Sequence, residues 1–314
     1  MLPNLVQQHL DFIVFMIALL VERFLPLSSW YHPNTFLSVA FRALGKRIYR
    51  AKEPKSYHYL SSTLCFSLVI LVIMTITVLL LEFAYYPELL AGLILYICLQ
   101  WQSPQKKVLR IARLVKQNQK ATARELLSPL VARDVSKLSS AGICKAAMET
   151  FALRVARHYF TVIFIYLVFG AMATLSYHLL SLMHQAWRTD LTPNNRFLKT
   201  ISALLFLIEW LPLRLLTLTI ASSKATKQSI HYIKHYGRHF YQSNSGWLLS
   251  ACSASLAVQL GGPAIYQSQR FNKMRIGIDR LPKADDLAVL VSRFNQARGF
   301  WLLVIIAIEI LKTI

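Results

Sequence analysis

Four charged residues interrupt otherwise apolar runs of this sequence and are the first candidates for chemistry. They are Glu22, Arg23, Glu209 and Arg214. A charged side chain at membrane depth is energetically unfavourable, and residues of this kind commonly bind ligands or relay protons. Arg214 follows Pro212, which would kink a helix and free a backbone carbonyl. Two roles therefore stay open for Arg214: it clamps an anionic ligand, or it donates to the freed carbonyl.

Three histidines form a second candidate group. His231, His235 and His239 recur every four residues, which places them in one stripe of a helix. This spacing is compatible with metal ligation. Lys234 and Arg238 lie among them and no carboxylate is near in sequence. The pattern therefore favours an interfacial helix over a metal site, and no metal ligand set is predicted.

The third candidate is a break in an apolar segment, where the sequence reads Gln259-Leu260-Gly261-Gly262-Pro263. Non-helical backbone at membrane depth is tolerated only where it is buried in protein or lines a cavity. Two adjacent glycines also allow the backbone to approach a ligand closely. The sequence contains no Gly-x-x-x-x-Gly-Lys-Ser/Thr, Gly-x-Ser-x-Gly or His-Glu-x-x-His motif, so those nucleotide, hydrolase and zinc-protease readings lack support.

The composition shows what kind of elements must position these residues. Of the 314 residues, 55% are hydrophobic and 16% are charged, and the formal net charge is +21. An average soluble domain carries about 25% charged residues. The apolar content excludes intrinsic disorder, and four scattered cysteines exclude a secreted disulfide scaffold. A nucleic-acid-binding protein would carry more charge and fewer apolar runs, so no nucleic-acid partner is expected.

These features predict an all-α, polytopic helical membrane protein that forms a single integral membrane domain over residues 1–314. About 20 apolar residues are needed to cross the hydrocarbon core. On this basis about six spans are predicted, including a retained first span, and segment 247–266 is expected to re-enter the membrane or to lie flat. The predicted spans are 12–30, 60–81, 84–101, 159–181, 201–220 and 299–313.

The charge is distributed unevenly between the segments that flank these spans. Segments 36–57, 102–157, 222–246 and 267–298 carry 29 of the 35 Lys and Arg residues but only seven of the 14 Asp and Glu residues. The positive-inside rule places such segments in the cytoplasm. The expected location is therefore the bacterial inner membrane, with multiple passes and basic cytoplasmic loops.

Two of the basic segments have helical periodicity. In 102–157, a helix is predicted from Lys107 to Leu127, with Val108, Ile111, Leu114 and Val115 on its apolar face. Segment 36–52 repeats this pattern. Such amphipathic cytoplasmic helices either lie on anionic membrane lipid or line a basin for an anionic small molecule, and both alternatives stay open.

Ordered motifs along nearly the whole chain resemble those of the CobD/CbiB cobalamin-biosynthesis family. Trp30–Pro33 resembles the family's Trp-Pro-His-Pro, and Val131–Val135 resembles its Val-Gly-Arg-Asp-Thr. Met148–Thr150 resembles the start of its Glu-x-x-Ala-Glu-Asn-x-x-Asp-Gly, and Leu211–Leu215 resembles its Ile-Pro-Ala-Arg-Leu. Asn244–Trp247 and Gln259–Gly262 resemble its Asn-Ala-Gly-Trp and Gln-Leu-Gly-Gly.

The resemblance implies an adenosylcobinamide-phosphate synthase-like activity, in which adenosylcobyric acid is joined to aminopropanol or its phosphate. It also implies a corrinoid ligand, with Mg²⁺ and ATP as requirements. Carried over residue by residue, it implies catalytic roles for Asp134 and Glu149. The substrate-binding residues implied in the same way are Arg133, Arg214, Asn244, Gln259, Gly261 and Gly262.

The sequence also departs from the family pattern, and a second relative shares its middle part. Arg154 and Arg157 stand where the family has Asn and Asp, and a positive charge there opposes Mg²⁺ or nucleotide binding through a metal. Glu209–Leu215 and Leu19–Arg23 resemble the AmpE branch. The alternative to an enzyme of corrinoid assembly is therefore a non-catalytic, AmpE-like regulatory or sensor protein of the inner membrane, and the oligomeric state stays open.

Overall fold

The structure is a computed structural model that describes residues 9–27, 31–188, 191, 195–223, 225–266, 269–277 and 280–313. Over these residues it is helical except for loops and four short strands, which confirms the all-α class. Trp30 of the Trp30–Pro33 motif lies outside the described residues. The helices are α1 (Leu10–Phe24), α2 (Pro33–Ile48), α3 (Lys55–Phe83), α4 (Pro87–Cys98), α5 (Gln102–Lys116), α6 (Lys120–Leu127), α7 (Ser140–Val155), α8 (Thr161–Arg188), α9 (Lys199–Ser223), α10 (Thr226–Tyr232), α11 (Ser243–Leu256) and α12 (Ala284–Thr313).

The chain divides into two compact units. One comprises residues 1–103 and 161–209, and the other comprises 104–160 and 210–314. The organisation as a single membrane domain stays a prediction.

In the first unit, α4 packs against α1 and α8, and α8 also contacts α2 and α3. Its core contains the fully buried side chains of Phe15, Trp101, Tyr177 and Phe197. α2 begins where Nδ1 of His32 accepts a hydrogen bond from the N–H of Asn34. Pro at the first helical position favours this start, because its fixed φ suits a helix and its missing N–H has no helical partner to lose.

In the second unit, α7 contacts α6, α11 and α12 as well as the first strand. Phe151, Phe160 and Phe294 are fully buried in its core. α7 begins with a side-chain cap, since Oγ of Ser139 accepts a hydrogen bond from the N–H of Gly142. The strands are β1 (Leu260–Gly261), β2 (Ala264–Tyr266), β3 (Gln269–Phe271) and β4 (Arg275–Ile276), and the antiparallel pairs are β1 with β4 and β2 with β3.

Four described helical segments are long and apolar enough to cross a membrane. Three of them contain a predicted span, and the fourth covers 299–312 of the predicted span 299–313. They are Lys55–Phe83, Ser140–Arg188, Arg196–Ser222 and Ala284–Lys312. The other two predicted spans, 12–30 and 84–101, correspond to α1 and α4, which have 15 and 12 residues. At 1.5 Å per residue these helices extend only about 22 and 18 Å. Six spans are therefore not confirmed.

Two predicted segments contain backbone that is not helical. In the predicted span 159–181, Gly170 interrupts α8 with a φ of 79° and a ψ of −174°. The predicted re-entrant segment 247–266 contains most of α11, a left-handed Ala257 and the strands β1 and β2. The break at Gly261-Gly262 is confirmed, whereas re-entry into the membrane is not.

Helices form in both basic segments, but not with the predicted bounds. Segment 36–52 overlaps α2, and the predicted helix from Lys107 to Leu127 corresponds to α5 and α6, which are separated at Asn118 by a positive φ of 59°. The predicted apolar face of α5, including Val108 and Ile111, is buried. On α2, in contrast, Phe36 is exposed.

Candidate functional site

A single carboxylate joins three separate segments of the second unit. Oε2 of Glu149, on α7, lies 3.2 Å from Nη2 of Arg133, and these two side chains are 13% and 10% exposed. Oε1 of Glu149 accepts a hydrogen bond of 2.7 Å from the backbone N–H of Gly261. Glu149, Arg133 and the glycine turn, which the sequence indicated as three separate candidates, therefore lie together.

The glycine turn needs residues without a side chain. Gly261 has a φ of +69°, and a Cβ at this position would lie 2.4 Å from the carbonyl oxygen of Met274. Gly262 has a φ of +93°, and its N–H donates to the same carbonyl at 2.9 Å. Since other residues rarely adopt such φ values, the two glycines allow β1 to pair closely with the segment that leads into β4.

Two further cations flank this turn. A Cβ at Gly262 would lie 3.6 Å from Nζ of Lys145 and 3.4 Å from Cγ of Arg275. The charges that act on Lys145 are those of Glu149, Arg133 and Arg275. We call Arg133, Lys145, Glu149, Gly261, Gly262 and Arg275 the Gly-Gly cluster.

Sequence reasoning missed Lys145 and Arg275. Lys145 could have been found, because it stands four residues before Glu149 and so lies on the same face of α7. Arg275 reaches the cluster through the pairing of Gly261 with Arg275 in the β1–β4 ladder. No local pattern in the sequence predicts that pairing.

The arrangement is suited to holding an anion. It contains three cations and one carboxylate, and both oxygens of that carboxylate already have partners. Guanidinium groups bind carboxylate and phosphate through paired, charge-assisted hydrogen bonds, and an ammonium adds a compact point charge. Because Gly262 has no side chain, the backbone between Lys145 and Arg275 is left without a Cβ to cover it.

The same residues do not fit Mg²⁺. A protein site for Mg²⁺ uses carboxylate oxygens together with substrate phosphates. Here Glu149 is engaged by Arg133 and Gly261, and three cations surround it. The residues that the structure describes contain no group of three or more His, Cys, Asp or Glu side chains that could hold a metal.

Asp134, the second residue with an implied catalytic role, has another environment. It is exposed, and its carboxylate accepts a hydrogen bond of 2.9 Å from the N–H of Ser136, which holds the pKa of Asp134 below its usual value. Its backbone N–H donates to the carbonyl of Ile265 in β2 at 2.9 Å. These contacts position the loop that carries Arg133.

The other predicted substrate-binding residues have partners of their own. The N–H of Gln259 donates to the carbonyl of Arg280 at 2.9 Å, and its side-chain amide donates to the carbonyl of Gly277 at 3.4 Å. Asn244 is buried near the start of α11. The guanidinium of Arg214 lies over the ring of Trp247, 3.6 Å from its centre.

Two acidic residues inside apolar runs have hydrogen-bond partners in the first unit. Oε1 of Glu22 accepts from the N–H groups of Trp101 and Gln102, both at 2.9 Å, so it supports the start of α5. Oε1 of Glu209 accepts from the hydroxyl of Tyr177 at 3.2 Å. Both carboxylates are buried. The two hydrogen bonds that Glu22 accepts explain why a charged residue is tolerated in an apolar run.

Two of the three spaced histidines face each other. The rings of His231 and His235 stack with centroids 5.9 Å apart and planes at 4°. In the described part of the chain, neither ring belongs to a group of three or more possible metal ligands.

Comparison with known proteins gives this geometry a context. The family described as CobD/Cbib protein matches residues 15–292, which include every member of the Gly-Gly cluster. The chain belongs to the CobD/CbiB family. No solved structure matches it significantly.

Several curated relatives in the CobD/CbiB family carry the name cobalamin biosynthesis protein CobD. The one from Stutzerimonas stutzeri (strain A1501) is 25% identical over 213 residues, which are 68% of this chain and 70% of that protein. The one from Chromobacterium violaceum is 28% identical and is matched over 57% of each chain. The one from Rhizobium meliloti (strain 1021) is 26% identical over 81% of this chain and 83% of that protein.

Proposed function

We propose that this CobD/CbiB-family chain acts in cobalamin biosynthesis by holding an anionic substrate of the step that joins adenosylcobyric acid to aminopropanol or its phosphate. The supporting observation is the Gly-Gly cluster, in which Arg133, Lys145 and Arg275 surround one carboxylate that is already paired. Both substrates carry groups that such a cluster can hold, namely a corrinoid carboxylate or the phosphate of aminopropanol phosphate.

Each residue of the cluster has a distinct part in this proposal. Glu149 fixes Arg133 and the backbone of Gly261, so that the guanidinium is oriented before the ligand arrives. Lys145 and Arg275 supply the charge that neutralises the anion. Gly262 leaves the space that the anion enters. Such preorganisation reduces the entropy lost on binding.

Binding of substrate, rather than ligation through Mg²⁺ and ATP, is the activity that this site supports. The oxygen ligands that a metal-dependent ligation would use are absent from the motif, since Leu153, Arg154 and Arg157 stand where the family has Glu, Asn and Asp. Because the cluster does not fit Mg²⁺, its proposed role is to bind and orient the substrate anion.

The location that we propose is the bacterial inner membrane, with multiple passes and the basic segments in the cytoplasm. Four long apolar helices support membrane insertion. The cytoplasmic placement follows from the excess of Lys and Arg in segments 36–57, 102–157, 222–246 and 267–298. It requires α4 to cross the membrane in addition to these four helices, so that 36–57 and 102–157 lie on the same side. The Gly-Gly cluster would then face the compartment that holds the phosphorylated substrate.

A second candidate, an AmpE-like regulator without catalytic activity, is favoured by one observation. Nη2 of Arg157 lies 3.4 Å from Oγ of Ser245 in α11. Arg154 lies near Lys107, whose pKa is lowered by burial and by that positive charge. Both positions at which the family carries Asn and Asp therefore carry a positive charge in this chain.

Deletion and titration separate the two candidates. After deletion of the gene, growth that depends on corrinoid synthesis from supplied cobyric acid should fail, provided that the genome encodes no other family member. The purified protein should bind cobyric acid and should not bind Mg²⁺ with ATP. Normal growth together with no corrinoid binding would contradict the pathway role and favour the regulator, whereas binding of Mg²⁺ with ATP would contradict the restriction to substrate binding.

A further inference from the structure

A second cationic site lies in the second unit, where α9 and α11 meet through Arg214 and Trp247. The guanidinium carbon of Arg214 is 3.6 Å from the centre of the Trp247 ring and 5.8 Å from that of Trp210. Gly237 holds Trp247 from another side, since a Cβ there would lie 3.1 Å from Cδ1 of the indole. The indole is thus fixed between a cation and a backbone turn.

Three buried donors on α9 and on one face of α11 have no hydrogen-bond partner. They are Nη1 of Arg214, Nε1 of Trp247 and Oγ of Ser250. Ser250 is fully buried and stands three residues after Trp247 on α11. More than nine in ten buried polar groups in proteins are hydrogen-bonded, and one without a partner points to an unseen water, ion or ligand.

The positive charge at this site indicates that the missing hydrogen-bond partner is an anion. No Asp or Glu of the described residues forms an ion pair with Arg214, and Arg238 adds a second positive charge that acts on it. A cation that is partly buried and has no counter-ion is unfavourable. An acceptor with a negative charge would satisfy both the guanidinium and the indole N–H.

We propose that Arg214, Trp247 and Ser250 form a phosphate-binding pocket. Three donors on two helices suit a tetrahedral oxyanion with several acceptor oxygens, and a guanidinium can hold two of them at once. Because Arg214 lies in a helix that is apolar enough to cross a membrane, the phosphate belongs either to a soluble small molecule or to a phospholipid headgroup. The proposal does not rest on a role in cobalamin biosynthesis.

Calorimetric titration of the purified chain in a phosphate-free maltoside detergent tests this pocket. One arm uses inorganic phosphate and the other uses short-chain phosphatidylglycerol. Saturable binding of either probe is expected, and the arm that binds identifies the source of the phosphate. Arg214→Gln should weaken binding about tenfold or more, because a charge-assisted hydrogen bond is lost.

Milder variants keep the test decisive. Trp247→Phe removes the indole N–H but keeps an aromatic ring beside Arg214, and Ser250→Ala removes only the hydroxyl. Each should weaken binding about threefold to tenfold. Lys227→Gln, a change of an exposed cation on α10, is the matched control and should bind as the wild type does. If Arg214→Gln does not fold, the two milder variants decide. Absence of binding by the folded wild type in both arms, or equal binding by all variants, would overturn the proposal.

Discussion

Oε1 of Glu149 accepts a hydrogen bond of 2.7 Å from the N–H of Gly261, although 112 residues separate the two in sequence. The variant Glu149→Ala leaves that N–H and the guanidinium of Arg133 without their partner. We expect its free energy of unfolding to fall by about 2 kcal/mol, since an orphaned buried donor carries its full desolvation penalty. Glu149→Gln keeps an acceptor for Gly261 and should lose less. Thermal unfolding in detergent checks this, and equal unfolding temperatures for Glu149→Ala and the wild type would contradict it.

The two glycines of the turn should differ in their response to alanine. At Gly261 the new Cβ would meet the carbonyl oxygen of Met274 at 2.4 Å, whereas at Gly262 the contacts are ordinary. Both changes strain a positive φ, at a cost of about 1–3 kcal/mol each, and only Gly261→Ala adds a clash. Gly261→Ala should therefore unfold at the lower temperature of the two.

Gly299→Ala is the matched control for this pair, because a Cβ there meets nothing within 4 Å and lies in the helix α12. It should unfold at the wild-type temperature or above it. If Gly262→Ala were less stable than Gly261→Ala, the close contact between position 261 and the carbonyl of Met274 would be contradicted.

Asp134→Asn should leave ligand binding within about twofold of the wild type, because the exposed carboxylate caps Ser136 instead of facing the Gly-Gly cluster. Its lowered pKa sets the sign of the pH effect on stability. The contribution of this hydrogen bond is present above about pH 4, the unfolded-state value, and is lost as the pH falls through the lowered folded-state pKa. Titrations of the wild type and of Asp134→Asn measure ligand binding. A tenfold loss of affinity in Asp134→Asn would show that Asp134 belongs to the binding site.

The proposed topology predicts which loops are reachable from outside the cell. Tyr85, in the turn between α3 and α4, is 88% exposed. A cysteine introduced by Tyr85→Cys should react with a membrane-impermeant maleimide in intact spheroplasts, and one introduced by Lys120→Cys should react only after permeabilisation. The reverse pattern would invert the topology, and labelling of both cysteines from the same side would show that α4 does not cross the membrane. The wild type gives the background control, since its Cys98, Cys144 and Cys252 are buried and only Cys65 is half-exposed.

The parts of the fold that follow a local rule could be predicted from sequence. The apolar face of α5 and the long apolar helices α3 and α9 follow from residue spacing and run length. The limits of prediction appear at α1 and α4, whose apolar runs are longer than the helices that form. In α8, Gly170 interrupts the helix within a continuous apolar run, and no other residue of that run predicts a break.

The site itself could be predicted only in part. Arg133, Glu149, Gly261 and Gly262 carry the family motifs, and the structure brings them together. Arg275 joins them through strand pairing over a distance that no local pattern encodes. Glu22 illustrates the opposite case, since a charge in an apolar run suggested chemistry and its carboxylate supports the start of α5.

The most direct test of the proposed function is a calorimetric titration of the purified wild-type chain and of Lys145→Met with cobyric acid and with aminopropanol phosphate. Lys145 contacts the open side of the Gly-Gly turn and forms no ion pair among the described residues, so its loss should weaken binding about tenfold with little change in stability. Lys227→Gln is the control for a general loss of positive charge. Binding of either compound by the wild type that Lys145→Met weakens and Lys227→Gln does not is the predicted result. Binding of neither compound by the folded wild type, or equal binding by Lys145→Met, would contradict the account.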